Sequence, residues 1–229
     1  MFITQFTLNK SRRHSRFLMA NPQALHAAVL ASFPPDSLES AAADSTRILW
    51  RLDGSTTRDD LYIVSPARPD LTGLVEDAGW PTQETWRTRG YQSRLDSIRL
   101  GQQWRFRLVA NPTVSKKSGP GEKSRRVAHV TIEQQQDWLL KRAGGHGFEI
   151  AALDEQNTSE EVKLPNLQLS NSRVRKFRRE NMTVTLSTAQ YDGVLQVTDP
   201  IALQRSLVNG IGPAKGYGCG LLTLAPLGG

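Results

Sequence analysis

One stretch of this chain carries a recognisable succession of extended and helical patterns, a second repeats it less clearly, and that succession narrows the possible folds more than any other feature. Residues 2–8 alternate apolar and polar side chains, as a half-buried strand does. Asn21-Pro22 then opens a helix, with Asn as the capping acceptor and Pro preset for the first turn. That helix ends before Pro34-Pro35. Residues 46–52 and 61–65 read as strands, 71–78 as a short helix and 86–92 as a closing strand. The second stretch starts at 104–110, with Trp104, Phe106 and Leu108 on one face and Arg105, Arg107 and Val109 on the other. A Pro/Ser/Gly/Lys loop at 112–124 leads to a short strand near 126–130. Thr131 caps a helix running to Arg142, which Gly144-Gly145 stops. Strands are expected near 147–153, 161–169, 181–188 and 193–198. Asp199-Pro200 caps a last helix, Gly210 ends it, and 221–225 is the final strand.

The order β-α-β-β-α-β is the ferredoxin-like, or RRM-like, module. The chain therefore reads as α+β: tandem ferredoxin-like modules, the second less clear than the first. The N-terminal domain covers 1–92, a linker 93–100 and the C-terminal domain 101–229. A length of 229 residues suits two domains of about 100 each.

A single cysteine, Cys219, excludes an internal disulfide framework and cysteine-based zinc sites, and fits a reducing compartment. No window approaches the roughly 18 apolar residues of a membrane span, and the first residues run into Arg12, Arg13 and Arg16 without a signal core. A soluble, cytoplasmic protein with no membrane partner is expected.

Net charge is +7, and its distribution says more than its total. Residues 36–84 hold ten carboxylates against four arginines. Residues 99–126 hold Arg99, Arg105, Arg107, Lys116, Lys117, Lys123, Arg125 and Arg126 against Glu122 alone. Arg173, Arg175, Lys176, Arg178 and Arg179 follow within seven positions. One such cluster reads equally well as a solvated surface. Two of them beside an acidic half point to a polyanion, and the planar arginine fork suits phosphate. Neither cluster lies on an amphipathic helix, which argues against a membrane surface.

Near the C-terminus stands Gly210-Ile-Gly-Pro-Ala-Lys-Gly-Tyr-Gly-Cys-Gly220, with glycines at 210, 212, 216, 218 and 220. Gly210, Gly212, Gly216, Gly218 and Gly220 permit positive φ and close backbone approach, either to a phosphate or to a neighbouring strand. Lys215 precedes Gly216, so this is no Walker A loop, which ends Gly-Lys-Ser/Thr.

Four histidines occur: His14, His26, His129 and His146. His26 lies near the start of the first helix, about 100° around from the inward Leu25, where a side chain can reach a groove. Two readings stay open for it: a residue at the rim of a core, or a proton-transfer group. The second has chemistry behind it. RNA carries its own nucleophile, the 2′-hydroxyl, so a strand held in line needs chiefly proton transfer, and imidazole suits that near neutral pH. A metal nuclease would need carboxylates clustered within the basic segments, and those segments lack them. No metal and no cofactor is expected.

The C-terminal segment Gly210–Pro226 resembles the signature of the CasE-type CRISPR endoribonucleases of the RAMP superfamily, the RNA-processing subunit of the Cascade complex. Leu49-Trp50-Arg51-Leu52, Phe106-Arg-Leu-Val-Ala-Asn-Pro112 and the helix carrying His26 fall in the same order as in that family. The resemblance spans essentially the whole chain. It implies tandem ferredoxin-like domains with a basic cleft between and beside them, and metal-independent cleavage of the CRISPR repeat transcript at the 3′ base of its hairpin, leaving 5′-hydroxyl and 2′,3′-cyclic phosphate ends. It also implies that the enzyme stays on the mature crRNA with other Cascade subunits as partners. His26 matches the family's catalytic histidine. Members often have a tyrosine three residues earlier, where this chain has Gln23; Tyr91 and Lys215 are candidate substitutes for its support. The 112–126 loop is similar to a basic segment that tracks the hairpin, which makes Arg105, Arg107, Lys116, Lys117, Lys123, Arg125 and Arg126 one RNA contact set. Arg173, Arg175, Lys176, Arg178 and Arg179 form a second, near the scissile strand. The rival readings are an RNA-hairpin-binding subunit without catalysis, favoured by Gln23, and a phosphate-binding metabolic enzyme built on the glycine loop.

Overall fold

The computed structural model describes every residue except 38–46, 57, 117–118, 120–123, 154–163, 180–181 and 229, and the side chains of Arg178, Arg179 and Met182. Lys117 and Lys123 thus lie outside the described residues.

The first half runs β1 (Phe2–Leu8), α1 (Arg13–Ala20), α2 (Pro22–Leu30), β2 (Leu49–Gly54), β3 (Asp59–Ser65), α3 (Thr72–Ala78) and β4 (Trp86–Gly90). Its four strands form an antiparallel sheet in the order β2-β3-β1-β4. Strand alternation sorts its side chains. Phe6, Trp50, Leu61 and Ile63 face the helices and join Leu25, Val29 and Leu74 in one core. Leu49 and Val64 face the other way and enter the core of the second half.

The second half runs α4 (Gln92–Asp96), β5 (Gln103–Ala110), β6 (Thr113–Lys116), β7 (Arg125–Ala128), α5 (Ile132–Ala143), β8 (Phe148–Ile150), β9 (Leu167–Arg179), β10 (Met182–Val197), α6 (Pro200–Asn209) and β11 (Leu222–Ala225). Its sheet order is β11-β5-β10-β8, with β9 also paired along β10. When β5, β8, β10 and β11 are counted as the four strands of a module, they take the same places as β1, β2, β3 and β4 in the first sheet. Both halves thus have the ferredoxin-like order, and the second carries β6–β7 and the long β9–β10 hairpin as additions.

Several local expectations change. The expected linker holds α4, and its Leu95 and Ile98 are buried with the second core. Arg13–Ala20 is helical although its pattern signals little, because only Ser15 and Leu18 of that helix are buried. The loop expected at 112–124 contains strand β6. The strand expected at 161–169 begins at Leu167, and residues 161–163 lie outside the described set. The strands expected at 181–188 and 193–198 are one strand, β10. Gly193, inside that strand, serves close packing: a Cβ there would lie 2.2 Å from the Asn166 carbonyl oxygen.

Arg51 joins the two halves. Its side chain is only 2% exposed, and it forks onto Asp53 through Nε at 2.6 Å and Nη2 at 2.8 Å. Its Nη1 donates to the carbonyls of Arg107 and Leu221, at 2.9 and 3.0 Å. A buried guanidinium survives only with such complete pairing.

Candidate active site

The site begins with the helix cap. Asn21 accepts hydrogen bonds through Oδ1 from the amides of Gln23 and Ala24, which fixes where α2 starts. Leu25 and Val29 turn into the core, and His26 lies half-buried on the helix flank. Trp50, on the edge strand β2 beneath it, is 3% exposed and donates from Nε1 to His26 Nδ1 at 3.2 Å. The two ring planes differ by 25°.

The glycine loop of the second half closes over this pair. Gly218 has φ of 79°, and a Cβ on it would come within 2.6 Å of the Trp50 ring. Gly216 stands against the imidazole: a Cβ there would lie 3.3 Å from Nε2. Gly210 and Gly220 secure the loop's ends, where Ile211 N donates to the Gly220 carbonyl and Gly220 N to that of Val109. Gly212 packs on the Trp138 ring.

Gly216 also lines a cleft of about 700 Å³ that gathers Arg47, Arg126, Arg142 and Lys215 beside Thr113 and Ser115. No carboxylate lines it, and none of the four cations is ion-paired among the described residues. Burial, and then Arg47, hold the Lys215 ammonium below its ordinary pKa. Burial, followed by Lys215 and Arg142, lowers the pKa of His146, whose Nδ1 lies 2.8 Å from Ser206 Oγ. Cations that depress one another in this way are relieved by an incoming anion.

A second cleft, of about 680 Å³, lies on the Gly218 side, between the α1–α2 corner and the β9–β10 hairpin. Arg16, Arg173 and Arg175 line it with Asn171, Gln190 and Tyr217. The hairpin is held to the loop by an edge-on contact of Phe177 with Tyr217, ring centroids 4.9 Å apart. Burial is the main cause that lowers the pKa of Arg175, with Arg173 adding to it.

Of the residues singled out from the sequence, His26, Gly216, Gly218 and Lys215 come together, with Gln23 one turn before His26 on α2. Lys116, Arg125 and Arg126 are exposed on the β6–β7 hairpin, and Lys176 on β9. Backbone pairing places Arg178 and Arg179 toward the far end of β9, their side chains outside the described set. Two candidates are placed apart from this cluster. Tyr91 is 5% exposed in the second core, and burial pushes its phenol up to about 12. Arg107 is occupied by carboxylates, Asp192 at 2.5 Å and Asp53 at 3.4 Å. With Arg105 it lines a separate cleft that shares no residue with the Lys215 cleft. Arg47, Arg142 and Trp50 also line these clefts and carry no clustering signal in the sequence, because tertiary packing alone assembles them, while Arg16 comes from the early Arg12–Arg16 run.

Comparison with known proteins gives a consistent picture. A family model described as CRISPR associated protein matches residues 1–226. The CRISPR-associated endoribonuclease Cse3 of Thermus thermophilus is 27% identical over 226 residues, covering 99% of this chain and 100% of that protein. The CRISPR system Cascade subunit CasE of Escherichia coli is 30% identical over 203 residues, covering 78% and 94%. A solved structure of Thermus thermophilus Cse3 bound to an RNA representing a pre-cleavage complex superposes with a TM-score of 0.76 at 26% identity, covering 98% of each chain.

Proposed function

Because this chain belongs to the CRISPR associated protein family, we propose that it is the endoribonuclease that processes CRISPR precursor RNA. It binds the repeat hairpin, cleaves at the hairpin's 3′ base and remains on the mature crRNA as a subunit of Cascade. It acts in the cytoplasm, and residues 93–100 join its two domains while packing against the second. Relatives of matching length are named as such endoribonucleases and as a Cascade subunit, and one is solved with RNA before cleavage.

The observation that carries this reading is the placement of His26 Nε2 against Gly216, the residue that also lines the cationic cleft, which holds no carboxylate among the described residues. A phosphate held by Arg47, Arg126, Arg142 and Lys215 would lie across Gly216 from the imidazole. The RNA supplies the rest: its 2′-oxygen bonds to phosphorus as the bond to the 5′-oxygen breaks, the 2′-hydroxyl proton is released, and the 5′-oxygen takes one up. The ends are a 2′,3′-cyclic phosphate and a 5′-hydroxyl, with no metal in the step. Arg173 and Arg175 clamp the strand running into the second cleft. The exposed bases of β6–β7 track hairpin phosphates, since the deep groove of A-form RNA hides base edges.

Incubation of the purified protein with its repeat hairpin in excess EDTA tests the proposal. Cleavage at one position, with a 2′,3′-cyclic phosphate on the upstream product, is expected. Tight binding without cleavage would instead support a binding-only subunit, the reading favoured by Gln23.

A further inference from the structure

The role of Trp50 goes beyond packing. A buried indole N–H needs an acceptor, and His26 Nδ1, 3.2 Å away, supplies it. Turning the imidazole over would set a carbon against that N–H and leave it without this bond, so the ring orientation is enforced from below. An Nδ1 that accepts from Trp50 cannot carry a proton of its own in that arrangement. The neutral ring must then hold its proton on Nε2. Gly216, which itself lines the cationic cleft, has no side chain to fill the space beside Nε2, where a Cβ would lie 3.3 Å away.

We propose that Trp50 is a positioning residue for RNA cleavage: its indole N–H locks His26 in the Nε2–H tautomer and aims that N–H at the RNA. The neutral imidazole therefore meets the substrate as a hydrogen-bond donor. That suits a phosphoryl oxygen or the departing 5′-oxygen, where negative charge develops, rather than the 2′-hydroxyl proton. The inference rests on the assignment of His26 to catalysis, but its central claim concerns the tautomer and can be measured without any RNA.

The test is nitrogen NMR on protein carrying ¹⁵N-labelled histidine, above the pH at which the ring titrates. Wild type is expected to show His26 with a protonated Nε2 and a bare Nδ1. Trp50→Phe, which keeps the ring and removes the N–H, should populate both tautomers. Single-turnover cleavage by that variant should fall roughly 10- to 100-fold, the scale on which histidines respond to loss of an orienting partner, with hairpin affinity unchanged. A protonated Nδ1 in wild type would overturn the proposal, as would an unchanged tautomer and rate in Trp50→Phe. Were Trp50→Phe to fold poorly, the wild-type spectrum alone decides. Cleavage surviving His26→Ala would remove the catalytic assignment while leaving the tautomer result standing.

Discussion

Removal of Arg51 should loosen the whole molecule, since one side chain bridges both halves. Arg51→Ala deletes the two bonds to Asp53 and the two to the carbonyls of Arg107 and Leu221. It leaves Asp53, 13% exposed, with Arg107 at 3.4 Å as its one remaining ion-pair partner among the described residues. Removing one partner of a buried ion pair costs about 3–5 kcal/mol. The remaining Arg107 contact and the partial exposure of Asp53 put the expected loss at the lower end, about 3 kcal/mol. For a chain of this length that corresponds to a fall in melting temperature of roughly 6–12 °C. Urea unfolding followed by fluorescence and by circular dichroism would measure it. Because Arg51 ties a first-half strand to second-half carbonyls, the two probes should also lose their coincidence. The double variant Arg51→Met, Asp53→Leu removes both charges and should lie closer to wild type. A loss under about 1 kcal/mol for Arg51→Ala would refute the reasoning, because such a value belongs to an exposed pair.

Gly216→Ala would press its methyl group against His26 Nε2, so cleavage should fall well before hairpin affinity does; equal losses in a paired binding and cleavage assay would contradict this. Arg142→Ala should lower the slope of log affinity against log salt by about 1, the effect of losing one phosphate contact, and a titration from low to moderate salt reads it. His146 adds a pH dependence. Its folded pKa lies below the ordinary 6.5, so between the two values the unfolded chain binds more protons than the folded one. Stability should therefore decline as pH falls through 6.5 and level off once the folded ring is also protonated. His146→Gln should flatten that decline in denaturant titrations at successive pH values.

The fold was legible in the sequence where burial falls on one face. Leu61 and Ile63 on β3, and Phe6 and Leu8 on β1, alternate as half-covered strands must, and both helix caps built on Asn-Pro or Asp-Pro act as such. It was less legible where burial is two-sided or absent. Leu49, Trp50 and Arg51 are all buried in succession, because one face of β2 meets α2 and the other meets the second half. Nothing in that run announces that Trp50 serves a histidine or that Arg51 is a bolt. The charge clusters located two basic surfaces, yet charge density cannot tell an arginine held by Asp192 from one open to an anion. Arg107 was counted with the open arginines for that reason, and the isolated Arg47 and Arg142 were missed.

The most direct test replaces one atom of the substrate. A repeat hairpin carrying 2′-deoxyribose at the nucleotide just before the cut keeps its shape and phosphates but lacks the attacking oxygen. It should bind as tightly as the all-ribose hairpin and stay intact through incubations that fully process the latter. Cleavage of the deoxy substrate at the same bond would show that water or a side chain attacks phosphorus, and would contradict the account.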